Sequence, residues 1–159
     1  MTTPAAQICS ADHYFLNDKG EYVFDATKLP AAHAACLRKF VDLVAQKGAG
    51  SVGYRVTILR GIPGSGKSTF VANNPDLGIV VDNTCTTLAE TAPYAALALA
   101  CGMPLEIVNF QCDYKVAAAR NQHGVPLESC KRMADRMAKS DAQEMWPGWW
   151  KQRTVQTDK

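Results

Sequence analysis

The stretch RVTILRGIPGSGKST, residues 55–69, decides the fold of this chain. Its first part, Arg55–Leu59, is apolar and rich in β-branched residues, which predicts a buried strand. The next part, Gly61–Ser68, matches the pattern G-x-x-x-x-G-K-[ST] without a break, and this pattern is the P-loop or Walker A motif. Residues 68–73 then predict a helix that ends at Asn-Asn-Pro. The motif therefore lies between a strand and a helix, which is the context in which it binds phosphate.

Each part of the motif has a physical role. Its three glycines allow backbone conformations that a side chain would forbid, so that consecutive N–H groups converge on an anion. Lys67 neutralises the β- and γ-phosphates, and the Ser68 hydroxyl ligates Mg²⁺. We therefore predict a site for a nucleoside triphosphate, expected to be ATP, together with Mg²⁺. The predicted nucleotide-binding residues are Gly61, Ile62, Pro63, Gly64, Ser65, Gly66, Lys67, Ser68 and Thr69.

Strand and helix patterns alternate on both sides of this motif. Further strands are predicted over residues 7–10, 78–81 and 105–110, and further helices over residues 29–46, 87–101, 114–121 and 126–143. Short, continuous apolar strands that alternate with helices are typical of a parallel sheet covered on both faces. The predicted fold is therefore a three-layer α/β fold. Residues 12–25 are expected to form a loop or an irregular hairpin, and the tail after residue 145 has no clear period.

Composition limits the class of protein. The chain has 159 residues, of which 47% are apolar and 20% charged, which predicts one packed domain. No apolar run approaches the roughly 20 residues of a membrane span, and the first residues lack the pattern of a secretory signal. The six cysteines have neither C-x-x-C nor zinc-site spacing, so we expect reduced core thiols in a cytoplasmic protein. A net charge of +2 neither requires nor excludes a nucleic-acid partner.

The rest of the chain narrows the reaction. A switch GTPase would carry D-x-x-G and N-K-x-D motifs, which are absent, and a motor ATPase would need a longer chain. A phosphotransferase instead needs an acidic residue at the acceptor, a site for that acceptor and a mobile cation over the phosphoryl group. Asp12 directly follows a predicted strand, where the acidic residue would lie. Arg120 precedes a His-Gly-Val-Pro turn that resembles the hinge of a lid, where the cation would lie.

Four segments together resemble the polynucleotide kinase-like P-loop kinases. They are GIPGSGKST, SADHYFLNDKGEYVFDATKLPAAH, IVVDNT and ARNQHGVPLESCKRM, and they cover most of residues 8–137. The resemblance implies that Asp12 is the catalytic carboxylate facing the acceptor hydroxyl, with Lys67 and the lid residue Arg120 on the phosphates. It also implies that Asp82 supports the P-loop and, with Ser68, the metal shell. The implied reaction transfers the γ-phosphate of ATP to a hydroxyl group of a nucleic acid.

The order of these segments departs from the family. Family members begin with the P-loop strand, whereas here the block that contains Asp12 comes first. We therefore predict a permuted P-loop kinase domain, with an unchanged sheet and with Asp12 still facing Lys67. The units would be an acceptor-side unit over residues 1–50, a P-loop unit over 51–75, the remaining sheet and lid over 76–145, and a Trp-rich tail over 146–159. The glycine-rich joint in residues 43–56 fits such a rerouted connection.

The acceptor stays open at this point. The family's nucleic-acid 5′-kinases tend to carry an arginine at the position of Phe15, and this arginine holds a substrate phosphate. A phenylalanine can stack on a base but cannot hold a phosphate. A polynucleotide 5′-hydroxyl, a hydroxymethylated base such as hydroxymethyluracil in phage DNA, and a small-molecule alcohol all remain possible acceptors. A further alternative is a domain that binds ATP without transferring phosphate. Candidate substrate contacts are His13, Phe15, His33 and His123, and the tail tryptophans are expected to cap the core rather than to stack on bases.

Overall fold

A five-stranded, all-parallel sheet forms the centre of the computed structural model, which describes residues 5–47 and 54–159. The strands are β1 (Gln7–Cys9), β2 (Val56–Arg60), β3 (Ile79–Asp82), β4 (Leu105–Gln111) and β5 (Gln152–Gln156). The helices are α1 (Leu29–Lys47), α2 (Lys67–Asn73), α3 (Leu88–Ala100), α4 (Tyr114–Arg120) and α5 (Leu127–Gln143). The strand order is β1-β3-β2-β4-β5, so the first strand lies at an edge and the second at the centre. The α/β class and the parallel sheet are as predicted.

The sheet carries a separate apolar cluster on each face, because successive side chains of a strand point in opposite directions. Val56, Ile58 and Ile79 belong to the larger cluster, which also contains buried residues of α1 and α3. Their neighbours Leu59 and Val80 belong to the second cluster, against which α2 packs. Helices therefore cover both faces, which explains why the central strands are apolar throughout.

Strand β5 is absent from the sequence prediction. The tail of residues 146–159 contains it, and it pairs in parallel with β4 from Ile107–Gln152 to Gln111–Gln156. Its sequence, QRTVQ, is mostly polar and exposed, as an edge strand with one solvated face can be. Backbone pairing therefore determines this strand rather than an apolar pattern.

The three tryptophans of the tail differ in how far they are buried. Trp150 is buried in the larger cluster and Trp146 packs against it, whereas Trp149 is 74% exposed. The expected cap on the core is therefore formed by two of the three side chains. All six cysteines are free, and four of them are buried. None of the helices in residues 5–47 and 54–159 has the length and apolar character needed to cross a bilayer.

The segment between β1 and α1 contains a short irregular hairpin, in agreement with the loop or irregular hairpin predicted for residues 12–25. Residues 11–15 and 26–28 form short 3₁₀ turns, and a single antiparallel bridge joins Leu16 to Tyr22. Between the bridge residues, the Asn17 side-chain oxygen accepts hydrogen bonds from the backbone N–H groups of Lys19 and Glu21, each at 2.9 Å. These bonds fix the path of the chain and so fix where the Tyr22 side chain lies. Residues 48–53 of the glycine-rich joint lie outside the described residues.

Candidate functional site

The glycine-rich loop Gly61–Ser68 begins where β2 ends. The Gly61 N–H donates to the Thr84 carbonyl at 3.0 Å, which ties the loop to the segment after β3. The Lys67 ammonium donates to the carbonyls of Gly61 at 2.7 Å and Ile62 at 3.1 Å, so the lysine bridges the mouth of its own loop. An ammonium group has three donors, which leaves one N–H beyond these two bonds. That donor is available to an anion.

Gly64 is constrained by close packing as well as by conformation. Its φ is +78°, and a Cβ atom built there would lie 2.0 Å from the Ala117 carbonyl oxygen at α4. No side chain fits at this distance, so the loop and α4 meet through backbone. Gly66, with φ +97°, precedes α2 and faces Thr157. The Thr157 hydroxyl also donates to the Ser65 carbonyl at 2.7 Å. The loop is therefore supported by α4 and by the chain just beyond β5.

Three charged side chains predicted for the site influence one another. Burial lowers the pKa of Lys67, and the charges of Asp82 and Asp12 partly oppose that effect. Burial raises the pKa of Asp82, as does the negative charge of Asp12, whereas Lys67, His13 and His123 lower it. The segments that carry these groups also meet in space, because the Ala11 N–H donates to Asn83 Oδ1 at 2.9 Å and the Gly61 N–H donates to the Thr84 carbonyl at 3.0 Å.

Asp12 is held from two sides by aromatic residues. The Tyr22 hydroxyl lies 3.4 Å from Asp12 Oδ1, and His123 Nε2 lies 3.7 Å from Asp12 Oδ2. The Tyr22 and His123 rings pack on each other with their centroids 4.1 Å apart. Burial and the Asp12 carboxylate raise the pKa of Tyr22 to about 12, so this phenol stays protonated and donates. The turn between α4 and α5 therefore contacts the carboxylate directly.

Arg120, the last residue of α4, lies beside the glycine-rich loop. Its guanidinium donates to the Thr157 carbonyl at 2.7 Å. It also lines a cavity of about 420 Å³ together with Gly66, Thr69 and Phe70. Ser68 and Thr69 are exposed beside this cavity. The observed contacts of Arg120 thus place it at the side of the loop, whereas those of His123 lead to Asp12.

The remaining predicted substrate residues have varied environments. Phe15 is 4% exposed, and its ring packs on Tyr22 and Phe24, so it belongs to the core and offers no face for stacking on a base. His13 is exposed near Asp82. His33 lines a second cavity, between α1 and α3.

Arg60 is a buried residue that sequence reasoning missed. It is the last residue of β2, it is 1% exposed, and its guanidinium carbon lies 4.0 Å from the centroid of the Trp146 ring. The guanidinium donates to the carbonyls of Cys85 at 2.7 Å and Thr86 at 3.1 Å. Cys85 has the positive φ of 45°, a conformation that is costly for a residue with a side chain. Arg60 therefore stabilises the strained segment of residues 85 and 86, which lies shortly after the end of β3.

Metal binding by the protein alone has no support in the described part of the chain. There, no group of three or more His, Cys, Asp or Glu side chains has the spacing of a metal site. Magnesium, however, is commonly held by one or two protein ligands with phosphates and water completing its shell. Ser68 is exposed. The residue next to it in the chain, Lys67, has its pKa influenced by the charge of Asp82. This donor set fits a magnesium ion that enters together with phosphates.

Comparisons with known proteins assign this chain to no family. No family profile matches the chain, and no curated protein matches it significantly. The functional argument therefore depends on the motif and on the geometry of the site.

Proposed function

We propose that this protein is an ATP-dependent kinase that transfers the γ-phosphate to a hydroxyl group, with a nucleic acid or one of its components as the acceptor. The observation that carries the proposal is that the segments holding Asp12 and Asp82 are hydrogen-bonded to each other and to a complete P-loop motif, from the Ala11 N–H to Asn83 Oδ1 at 2.9 Å and from the Gly61 N–H to the Thr84 carbonyl at 3.0 Å. The loop supports phosphate binding because Lys67 retains a free donor after its two bonds to loop carbonyls. The adjoining cavity of about 420 Å³ is large enough for the nucleoside part of ATP.

The sheet order supports a permuted kinase domain. Asp12 follows β1, and β1 pairs with β3 rather than with β2, which follows it along the described chain. Asp82 ends β3, and β3 pairs with β2, which leads into the loop. All three strands are parallel, so their carboxyl ends meet at one edge, where ligands bind in open α/β sheets. A carboxylate encoded before the loop thus reaches the same edge as the loop.

In the proposed mechanism, Asp12 orients the acceptor hydroxyl and takes its proton while the new oxygen–phosphorus bond forms. The bond between the γ-phosphorus and the bridging oxygen breaks at the same time, and that oxygen leaves with ADP. Lys67 neutralises charge on the phosphates, and Tyr22 and His123 hold the Asp12 carboxylate in place. Magnesium, when held by Ser68 with Asp82 nearby, would neutralise phosphate charge. Arg120, at the side of the loop, would contact the bound nucleotide.

The experiment compares Asp12→Asn, Lys67→Ala and the control Asp42→Asn, which removes an exposed carboxylate of α1. General-base assistance is worth about 10²–10⁴-fold, so Asp12→Asn should lose most transfer of labelled phosphate while it still binds ATP. Lys67→Ala should lose both binding and transfer, and Asp42→Asn should lose neither.

The acceptor panel contains a 5′-hydroxyl oligonucleotide, a duplex with hydroxymethylated bases and small alcohols. Full turnover by Asp12→Asn would refute the assignment of the base. Tight ATP binding with no labelled acceptor would instead favour a non-catalytic ATP-binding domain.

A further inference from the structure

A second cavity, of about 290 Å³, lies between α1 and α3. Ala34 and Leu37 line it from α1, and Ala89 and Pro93 line it from α3. The buried ring of Tyr94 contributes to its wall. The volume lies just below the roughly 300–1,000 Å³ of small-molecule sites, and the lining is largely apolar as in such sites. The cavity thus has the size and surface for one compact ring system.

This cavity adjoins the reacting groups through Asn83 and Thr84, which also line it. Asn83 follows Asp82 directly, and its side-chain oxygen accepts a hydrogen bond from the Ala11 N–H at 2.9 Å. That bond joins the cavity wall to the residue before Asp12. The Thr84 carbonyl accepts from the N–H of Gly61, the first residue of the glycine-rich loop. The cavity wall is therefore hydrogen-bonded both to the segment that carries Asp12 and to the loop that carries Lys67.

The charge of the lining determines what it can hold. The cavity-lining residues include neither lysine nor arginine. The acidic side chain among them, Glu90, is already paired with Arg136 at 2.7 Å and accepts a hydrogen bond from the Thr86 hydroxyl at 2.9 Å. A phosphate group placed here would lose water without gaining a cationic partner, which is costly. The cavity therefore favours a neutral group, with the Thr84 hydroxyl and the His33 imidazole as polar contacts.

We infer that this cavity binds a neutral, planar ring of the acceptor, of the size of a nucleobase, so that a hydroxyl on that ring or its sugar reaches Asp12. The inference rests on the proposed kinase function and makes it more specific. It selects an acceptor recognised through a base over one recognised through a phosphate. The burial of Phe15 agrees with this choice, because base recognition must then come from another surface.

The test fills the cavity from either wall. Ala34→Phe and Ala89→Phe each replace an exposed alanine of the lining by a ring. The matched control is Ala45→Phe, an exposed alanine of α1 eleven residues further along, or about 16 Å along the helix axis. Urea unfolding and ATP titration establish that each variant folds and keeps its nucleotide site. The two lining variants on separate helices ensure that a usable protein remains if one substitution prevents folding.

Two readouts separate the inference from the proposed function. The first is the binding of a hydroxymethylpyrimidine deoxynucleoside in the absence of ATP, measured as an affinity and as changes in the NMR shifts of the Tyr94 ring. The second is phosphate transfer to that nucleoside, to an oligonucleotide of abasic residues with a free 5′-hydroxyl, and to glycerol. We expect each lining variant to weaken nucleoside binding and to raise the KM for the nucleoside by at least about tenfold, while the affinity for ATP is unchanged. The Ala45→Phe control should match the unmodified protein.

The outcomes differ for the two claims. Nucleoside binding that the lining variants abolish, without any transfer, would support the cavity and contradict the kinase. Transfer that is unaffected by both lining variants would support the kinase and overturn the cavity assignment. Equal transfer to the abasic oligonucleotide, or preferred transfer to glycerol, would also overturn it, since neither acceptor carries a ring of this kind.

Discussion

Replacement of Arg60 by methionine should cost much of the protein's stability. The side chain is 1% exposed, and its guanidinium donates to the carbonyls of Cys85 at 2.7 Å and Thr86 at 3.1 Å. It also donates to Asn109 Oδ1 at 2.7 Å and lies 3.0 Å from Asp141 Oδ1. Methionine fills a similar volume but has no donors, so the two backbone carbonyls would lose their charged partner.

The size of the effect follows from burial. A hydrogen bond to a charged group is worth about 1.5–3 kcal/mol, so loss of the two carbonyl bonds costs about 3–6 kcal/mol. The pair with Asp141 adds little, because that carboxylate is 47% exposed and remains solvated. We therefore expect Arg60→Met to lower the free energy of unfolding by about 4 kcal/mol, a large part of the 5–15 kcal/mol typical of a domain.

Urea unfolding followed by circular dichroism measures this change. The matched control is Arg55→Met, because Arg55 is exposed and makes one comparable bond, from Nε to the Asp76 carbonyl at 3.0 Å. The control should lose no more than about 0.5 kcal/mol. A loss below about 1.5 kcal/mol for Arg60→Met, or equal losses for the two variants, would refute the reasoning.

Two further substitutions test the support of the loop and of the last strand. Gly64→Ala should lower the free energy of unfolding by at least about 3 kcal/mol and abolish nucleotide binding, because its Cβ would lie 2.0 Å from a backbone oxygen. Gly20→Ala, at a similar φ of +77° but with nothing within 4 Å, should cost only about 1 kcal/mol in the same urea experiment, and equal losses would contradict the steric argument. Burial raises the pKa of Glu106, but hydrogen bonds from Lys151 and Arg153 lower it further, to below its usual 4.5. The stabilisation from these two ion pairs is therefore complete above pH 4.5 and is lost as the pH falls through the lowered pKa of Glu106. Glu106→Gln should thus destabilise the protein by about 0.5–1 kcal/mol at neutral pH and by almost nothing in acid, and a difference independent of pH would contradict this assignment.

The central part of the fold could be predicted from the sequence because its strands are buried on both faces. Arg55–Leu59 and residues 78–81 are continuous apolar runs, and the observed strands β2 and β3 lie within one residue of them. Strand β5 gave no such signal, because polar residues occupy most of it. An edge strand of this kind is determined by a partner that only the folded chain brings alongside.

The candidate site could be predicted only in part. The loop follows from its own local pattern, and the resemblance to known kinases indicated Asp12. Tyr22 and Arg60 were missed because their partners lie elsewhere along the chain: His123 for Tyr22, and the carbonyls of residues 85 and 86 for Arg60. Phe15 was predicted at the acceptor from the resemblance to known kinases, but a resemblance in sequence does not reveal that this side chain is buried in the core.

The support that Thr157 gives to the glycine-rich loop has a consequence for biosynthesis and for protein engineering. The hydrogen bond from Thr157 to Ser65 joins residues 92 positions apart. The loop therefore emerges from the ribosome long before Thr157, which supports it, has been translated. Affinity tags fused directly after residue 159 would crowd the same region.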